Sequence, residues 1–364
     1  MIRFLDLAAQ YASIKQEIDD AIGKTLDECS FVSSGEVTSF ENEFAEFVGA
    51  KECITCGNGT DALEIAIEAL GLPQGSEIIL PANTFVATAE AVVRTGHIPV
   101  FCDVDEKTYT CTGETINRCV TEKTRAVILV HLYGYVVDYK PILELCRERG
   151  IRVIEDCAQS HGGVRDGVMA GCIGDIAAFS FYPGKVLGAY GDGGAITTNN
   201  SSLANICRLV KDHGRIGKYD HKIIGRNSRL DGIQAAVLRV KLKHLPSWLE
   251  RRREVASYYN QYLDNQYCKA PEYNIDVLHA YHLFVIRTNE RDRLKEYLES
   301  AAVGVGIHYP YALQDLEAFS VYSQSTKATV ARTLSDEVLS LPMGEHLDRE
   351  ACAKVVDIVN DFRL

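Results

Sequence analysis

Two short segments hold residue types that can share one reaction. Lys185 lies in Phe179-Ser180-Phe181-Tyr182-Pro183-Gly184-Lys185-Val186-Leu187-Gly188-Ala189-Tyr190-Gly191-Asp192-Gly193-Gly194, where a strand-like apolar run opens into a loop of small residues. Few side chains would separate its amine from a ligand, a setting suited to covalent chemistry. About thirty residues earlier, Val153-Ile154-Glu155-Asp156-Cys157-Ala158-Gln159-Ser160-His161 ends another apolar run on an acid. A lysine that forms a Schiff base and a carboxylate that holds a pyridinium nitrogen are the two protein groups pyridoxal phosphate most needs.

Other residues fit around this pair. An unpaired carboxylate at the end of a buried strand is costly, and a pyridinium N–H would stabilise Asp156; a structural ion pair is the alternative. Gln159 could donate to a phenolic oxygen, Ala158 is small enough to let a ring lie flat, and His161 is either a nearby donor or a polar loop residue. Ser180, five positions before Lys185, could place its hydroxyl on a phosphate or bond its own backbone. Gly57-Asn58-Gly59-Thr60-Asp61-Ala62 joins a strand pattern to a helix pattern, and free amides at a helix start favour a phosphate. The same residues fit the relaxed dinucleotide pattern G-x-G-x-x-A, which requires an acid at the end of the next strand. Glu77-Ile78-Ile79-Leu80 runs into Pro81-Ala82-Asn83 without one, so a single phosphate fits better. Phe85, in Thr84-Phe85-Val86-Ala87-Thr88, could stack on a planar ring, although core packing is the commoner fate of a phenylalanine. Arg226, Asn227 and Arg229 lie in a polar loop before a helix, where phosphate, substrate and plain surface roles are all open.

These residues sit at the ends of regularly spaced elements. Short apolar runs at Glu52-Cys56, Glu77-Leu80, Ile98-Cys102, Ala126-His131, Arg152-Glu155, Ile176-Phe181 and Ala195-Thr198 alternate with helical patterns. That alternation predicts a mainly parallel sheet covered on both faces, with functional residues at the strand C-termini. After the first run, Leu63, Ile67 and Leu70 recur at helical spacing, with Glu64 and Glu68 on another face and Gly71 and Pro73 as the stop. Residues 236–265 read as a long helical connection interrupted near Pro246 and carrying Arg251, Arg252 and Arg253. Strand-like Tyr281-Arg287 and helix-like Arg291-Ala301 follow. The expected organisation is a large α/β domain over 1–245 and a smaller α+β domain over 246–364.

The whole chain agrees with a metabolic enzyme. Its 364 residues and 46% apolar content support a sizeable core, and a net charge of −12 argues against nucleic acid or an anionic membrane as the main partner. The Met1-Leu7 segment has no signal pattern and no apolar run is long enough to span a membrane, so a cytoplasmic protein is expected. Twelve cysteines are scattered rather than spaced as a framework and read as reduced, packed thiols. Cys53 and Cys56 form a CxxC within a strand pattern without a second pair, so no metal site is expected there.

Taken in order, Phe4-Leu5-Asp6-Leu7, Asn58 to Leu63, Pro81 to Thr88, Glu155 to Gln159, the Lys185 loop, Gly225 to Ala236 and Ile307-His308-Tyr309-Pro310 resemble one family almost end to end. It is the DegT/DnrJ/EryC1/StrS group of fold-type I pyridoxal phosphate enzymes, sugar aminotransferases acting on nucleotide-linked keto sugars. The resemblance implies an aspartate aminotransferase-like fold in which Lys185 bears the Schiff base, Asp156 holds the pyridine nitrogen, Gln159 contacts the phenolic oxygen and Phe85 stacks on the ring. It further implies that Gly59, Thr60 and Ser180 bind the phosphate and that Asn227 reaches it from a second subunit, so that a homodimer with shared active sites is the minimum unit. Tyr182, Arg229, His308 and Tyr309 match positions near the family's substrate cleft.

Dehydratase relatives carry histidine in place of Lys185, which favours transamination. Tyr182-Pro183-Gly184-Lys185 and Asn227-Ser228-Arg229-Leu230-Asp231 resemble members that aminate C3 of a dTDP-linked 3-keto-6-deoxyhexose, whereas C4 members more often place an aromatic residue and then Arg-Met after the Asn. Ser33-Ser34-Gly35-Glu36 departs from the family's Ser-Gly-Pro-type turn. The expected reaction is therefore transfer of an amino group, from L-glutamate by family analogy, to that sugar in deoxyamino sugar biosynthesis. C4 amination of a dTDP- or UDP-linked 4-keto sugar and a PLP-dependent sugar dehydratase or lyase are the alternatives.

Overall fold

The seven apolar runs pair into one sheet in the computed structural model, which describes residues 1–270, 276–323 and 328–363. Strands β1 (Glu52–Cys56), β2 (Glu77–Pro81), β3 (Ile98–Cys102), β4 (Thr124–Val130), β5 (Arg152–Asp156), β6 (Ile176–Ser180) and β7 (Gly194–Thr198) lie in the order β1-β7-β6-β5-β4-β2-β3. Strand β7 runs antiparallel to both neighbours and the remaining pairs are parallel, so the sheet is mainly parallel as expected.

Successive residues of a strand leave opposite faces, and the apolar residues sort accordingly. Ile54, Ile78, Leu80, Ile128 and Ile154 pack on one face with helix α2 (Gly59–Ala69). Cys53, Ile79, Val127, Leu129 and Val153 pack on the other with helix α1 (Gly35–Val48). Cys53 and Cys56 consequently belong to different faces, and burial raises both thiols, Cys56 to about 12. Three residues apart on a strand, they do not converge on a common ligand.

Helix α2 starts where the Asn58 side chain accepts from the Asp61 amide at 2.8 Å. Leu63 and Ile67 face the sheet as predicted, but Glu64 is also buried, paired with Arg94 at 2.8 Å and with Arg226. The two arginines cover Glu64, while Glu68, one turn on, stays exposed. Helix α3 (Val86–Arg94) follows β2.

The long helical segment forms α4 (Gly232–Tyr262), 31 residues without the break expected at Pro246. A proline removes one amide donor and ends an exposed helix. Here Leu242, Leu245, Trp248 and Leu249 are buried around it, and their packing keeps the helical path. The first half of α4 belongs to the core of the large sheet, through Leu238, Leu242 and Leu245. Val255, Ala256 and Tyr259 of its second half join a separate core with the antiparallel pair β8 (Phe284–Arg287) and β9 (Val338–Leu341) and helices α5 (Arg291–Ser300) and α6 (Arg349–Asp361). The helix thus runs through residue 245 and serves both cores.

Strand register aligns the functional segments. Val130 pairs with Asp156, Asp156 with Ala178, Ser180 with Gly194, and Gly194 with Cys56. The segments after β1, β2, β4, β5 and β6 therefore emerge along one edge of the sheet, where α/β sheets bind ligands.

Candidate active site

That edge opens into a cavity of about 630 Å³. Gly59, Thr60, Phe85, Asp156, Gln159, Ser180, Tyr182, Lys185, His308 and Tyr309 all line it, drawn from segments spread over most of the chain. Asn227 and Arg229 do not. Asn227 is exposed and bridges to Asp212 through its backbone, and Arg229 pairs with the Asp212 carboxylate at 3.3 Å. His161 is buried against the rings of Phe179 and Phe181, and burial takes its imidazole down to about 3.

One end of the cavity is built for an anion. Gly59 and Thr60 open α2, where amides have no intrahelical acceptor and the helix dipole favours negative charge. A Cβ on Gly59 would lie 2.6 Å from the Ser180 Cβ, and one on Gly194 would lie 2.2 Å from the Asn58 carbonyl oxygen. Only glycines allow the helix start to press against the Ser180 hydroxyl, and the result is a cup of backbone and hydroxyl donors.

At the other end stand the acid and the amine. Asp156 Oδ2 accepts from Thr88 Oγ1 at 2.8 Å and Oδ1 from the Ala158 amide at 3.1 Å. Burial pushes this carboxyl above its usual range, opposed by those two donors and by the Lys185 charge. Burial likewise takes the Lys185 amine from 10.5 down to about 8, against the pull of Asp156. A lysine so placed is a base available near neutral pH.

Gln159 has a defined orientation, since its Oε1 accepts from the Tyr133 amide at 2.6 Å and its Nε2 donates to the Tyr309 hydroxyl at 2.9 Å. One amide proton remains for the cavity. Burial, and then the Asp156 charge, keep the Tyr309 phenol protonated well above its ordinary range. The Phe85 ring lies 5.6 Å from that of Tyr309 and is 52% exposed, a cavity wall rather than core. His308 Nδ1 is 2.9 Å from Ser340 Oγ and its ring stacks on Phe4, while burial lowers it to about 4 and leaves it neutral.

The structure adds residues that sequence reasoning passed over. Arg252, the middle of the arginine triplet, turns inward, donates to the Tyr281 carbonyl at 3.0 Å and pairs with Glu345 at 3.2 Å. His282 also lines the cavity. Behind the Lys185 loop, Gln234 Oε1 accepts from the Tyr190 amide at 2.8 Å, and the buried Lys241 amine donates to the Gly188 carbonyl at 2.8 Å. Glu155, next to Asp156 but on the opposite face, accepts from His131 Nε2 at 3.0 Å and from the amides of Gly171, Ile173 and Gly174, each at 2.8 Å.

Residues 12–360 match the DegT/DnrJ/EryC1/StrS aminotransferase family. The chain belongs to that family. A UDP-N-acetyl-3-dehydro-α-D-glucosamine 3-aminotransferase of Acidithiobacillus ferrooxidans is 39% identical over 98% of this chain and 97% of its own length. A dTDP-3-amino-3,6-dideoxy-α-D-galactopyranose transaminase of Aneurinibacillus thermoaerophilus is 40% identical over 100% and 99%. Among solved structures, S. venezuelae DesV in complex with a ketimine intermediate superposes with a TM-score of 0.97 at 37% identity, covering 100% of this chain and 99% of that one.

The family's cofactor is pyridoxal 5′-phosphate, and the cavity fits it. The anion cup, the flat wall at Phe85 and Ala158, the buried carboxylate and the amine match a phosphate, a ring, a ring nitrogen and an aldehyde in chemistry. Among the described residues no helix is long and apolar enough to cross a membrane.

Proposed function

We propose that this aminotransferase moves an amino group from L-glutamate to C3 of a dTDP-linked 3-keto-6-deoxyhexose, acting as a homodimer with shared active sites. The observation that carries the reading is the pairing of a neutral-poised Lys185 amine with the buried Asp156 carboxylate in one cavity beside the Gly59 and Ser180 cup. Position C3 is supported by the two curated relatives, each of whose names specifies amination at that carbon.

Bound pyridoxal phosphate supplies an aldehyde for amine exchange and an electron sink for the charge left when a Cα proton departs. The residues then divide the work. Gly59, Thr60 and Ser180 would hold the phosphate, with Asn227 of a second copy completing the cup from its exposed loop. Asp156 would keep a proton on the ring nitrogen, Phe85 would cover the ring face and exclude water, and Gln159 would donate its remaining amide proton to the phenolic oxygen. Lys185 would tether the cofactor and, as a free amine, would serve as the base and acid that moves the substrate Cα proton in both half-reactions. Tyr182, His308 and Tyr309 offer the sugar a phenol, a neutral imidazole and a second phenol, and Arg229 serves the substrate from the exposed loop.

Incubation with glutamate and the dTDP-linked 3-keto sugar should release 2-oxoglutarate and give an amine located at C3 by NMR. An amine at C4, or no turnover, overturns the reading. The UDP-linked 3-keto sugar belongs in the same assay, because the UDP-sugar relative is as similar to this chain as the dTDP-sugar one.

A further inference from the structure

We infer that Thr84 and Thr88 form a positioning relay that holds the Asp156 carboxylate in one orientation and in its charged form. Both hydroxyls are buried, Thr88 completely, and both lie on the segment that leads from β2 into α3. Thr88 Oγ1 is 2.8 Å from Asp156 Oδ2 and 3.1 Å from Thr84 Oγ1. A hydroxyl has one proton, and an ionised carboxylate only accepts. Thr88 therefore donates to Asp156, and Thr84 must donate to Thr88. The chain of donors has one direction, and it ends on the acid.

The relay has a job because Asp156 is buried, and a buried carboxyl tends to take up a proton. A protonated Asp156 would offer the ring nitrogen a hydroxyl in place of a charge. The ionisable groups whose charge reaches it are Lys185 from the loop after β6, the Tyr309 phenol and, from the opposite face where it pairs with Glu155, His131 just past β4, while α3 contributes the Thr88 hydroxyl. Lys185 is consumed as a counter-charge whenever its amine is neutral. The Thr88 hydroxyl and the Ala158 amide are then the donors that remain in direct contact with it. Phe85 stands between the two threonines in the chain, so one short stretch of backbone sets both the cavity wall at Phe85 and the hydroxyls that hold the acid.

The inference rests on the reading that Asp156 faces the ring nitrogen, and the test separates the two. In the full-length chain carrying carboxyl-labelled aspartate, the Asp156 resonance is assigned by its loss in Asp156→Asn and titrated by NMR in wild type, Thr88→Val and Thr88→Ser. Thr88→Val should raise the Asp156 midpoint by about one to two pH units and weaken pyridoxal phosphate binding about tenfold or more, with Thr88→Ser restoring both. An unmoved midpoint in Thr88→Val, or an equal rise in Thr88→Ser, overturns the relay. If Thr88→Val fails to fold, Thr84→Val removes only the rear donor, and a smaller rise of the same sign is then required. A raised midpoint with unchanged cofactor affinity and visible absorption supports the relay and overturns the placement of Asp156 at the ring nitrogen.

Discussion

The depressed basicity of Lys185 is the property on which the proposed chemistry turns, and it can be measured without substrate. Burial brings the amine from 10.5 to about 8, a difference of about 2.5. At a factor of ten per pH unit, that enriches the free base about 300-fold near pH 7, from about one molecule in three thousand to about one in ten. The assay is pulse labelling of the cofactor-free chain with an amine-selective acylating reagent from pH 6 to 10, read by mass spectrometry on the Lys185 peptide. The labelling curve should inflect near 8. Asp156→Asn removes the charge that favours the ammonium form, so the inflection should move down, not up. Lys241 supplies the control: burial also brings it to about 8, but the charge that opposes this is Glu345, so its curve should ignore the Asp156 substitution. A Lys185 inflection near 10 in a folded chain, or an upward shift in Asp156→Asn, refutes the electrostatic argument.

Gly59→Ala should force the helix start away from Ser180, cost about 1–3 kcal/mol in thermal unfolding, and weaken phosphate-dependent cofactor binding more than that loss explains. Phe85→Ala should do the reverse: a half-exposed ring costs less than about 1 kcal/mol of stability, yet its loss should lower cofactor affinity about threefold to tenfold in a fluorescence titration. Glu155→Gln leaves backbone amides of the 171–174 segment and His131 facing an amide, and should lower stability by about 2–4 kcal/mol by denaturant melt. Because His308 is held near 4, turnover between pH 5 and 8 should show no inflection that His308→Asn removes.

The strands were legible because a strand buried on both faces reads as a short apolar run, and their C-terminal ends then locate Gly59, Asp156, Ser180 and Lys185 along one edge. Phe85 was readable only as an aromatic at a strand end; its half-exposure comes from the cavity beside it, which no local pattern encodes. Pro246 shows a local rule overridden, since the leucines around it are buried and hold the helix together. Thr84 and Thr88 stand four apart, a spacing visible in the chain, but hydroxyls at such spacing usually satisfy nearby backbone. Only the approach of Asp156 from a distant strand gives the Thr88 hydroxyl its acceptor. Arg252 was passed over for a similar reason: a charged triplet looks like surface until Glu345 and the Tyr281 carbonyl arrive from elsewhere in the chain.

Helix α4 is about 46 Å long at 1.5 Å per residue, and it works as a single axle. Gln234 and Lys241 near one end grip the backbone on which Lys185 rides, and Arg252 farther along grips the strip that contains Tyr281 and His282. Two parts of the cavity lining, the Lys185 loop and the segment that contains His282, are thereby keyed to the same shaft. Under the proposed function, the Tyr182 ring, exposed and lining the cavity, is the side chain that an incoming sugar meets. Resizing that one ring is then expected to change which keto sugar is accepted, with the shaft and the two segments tied to it left as they are.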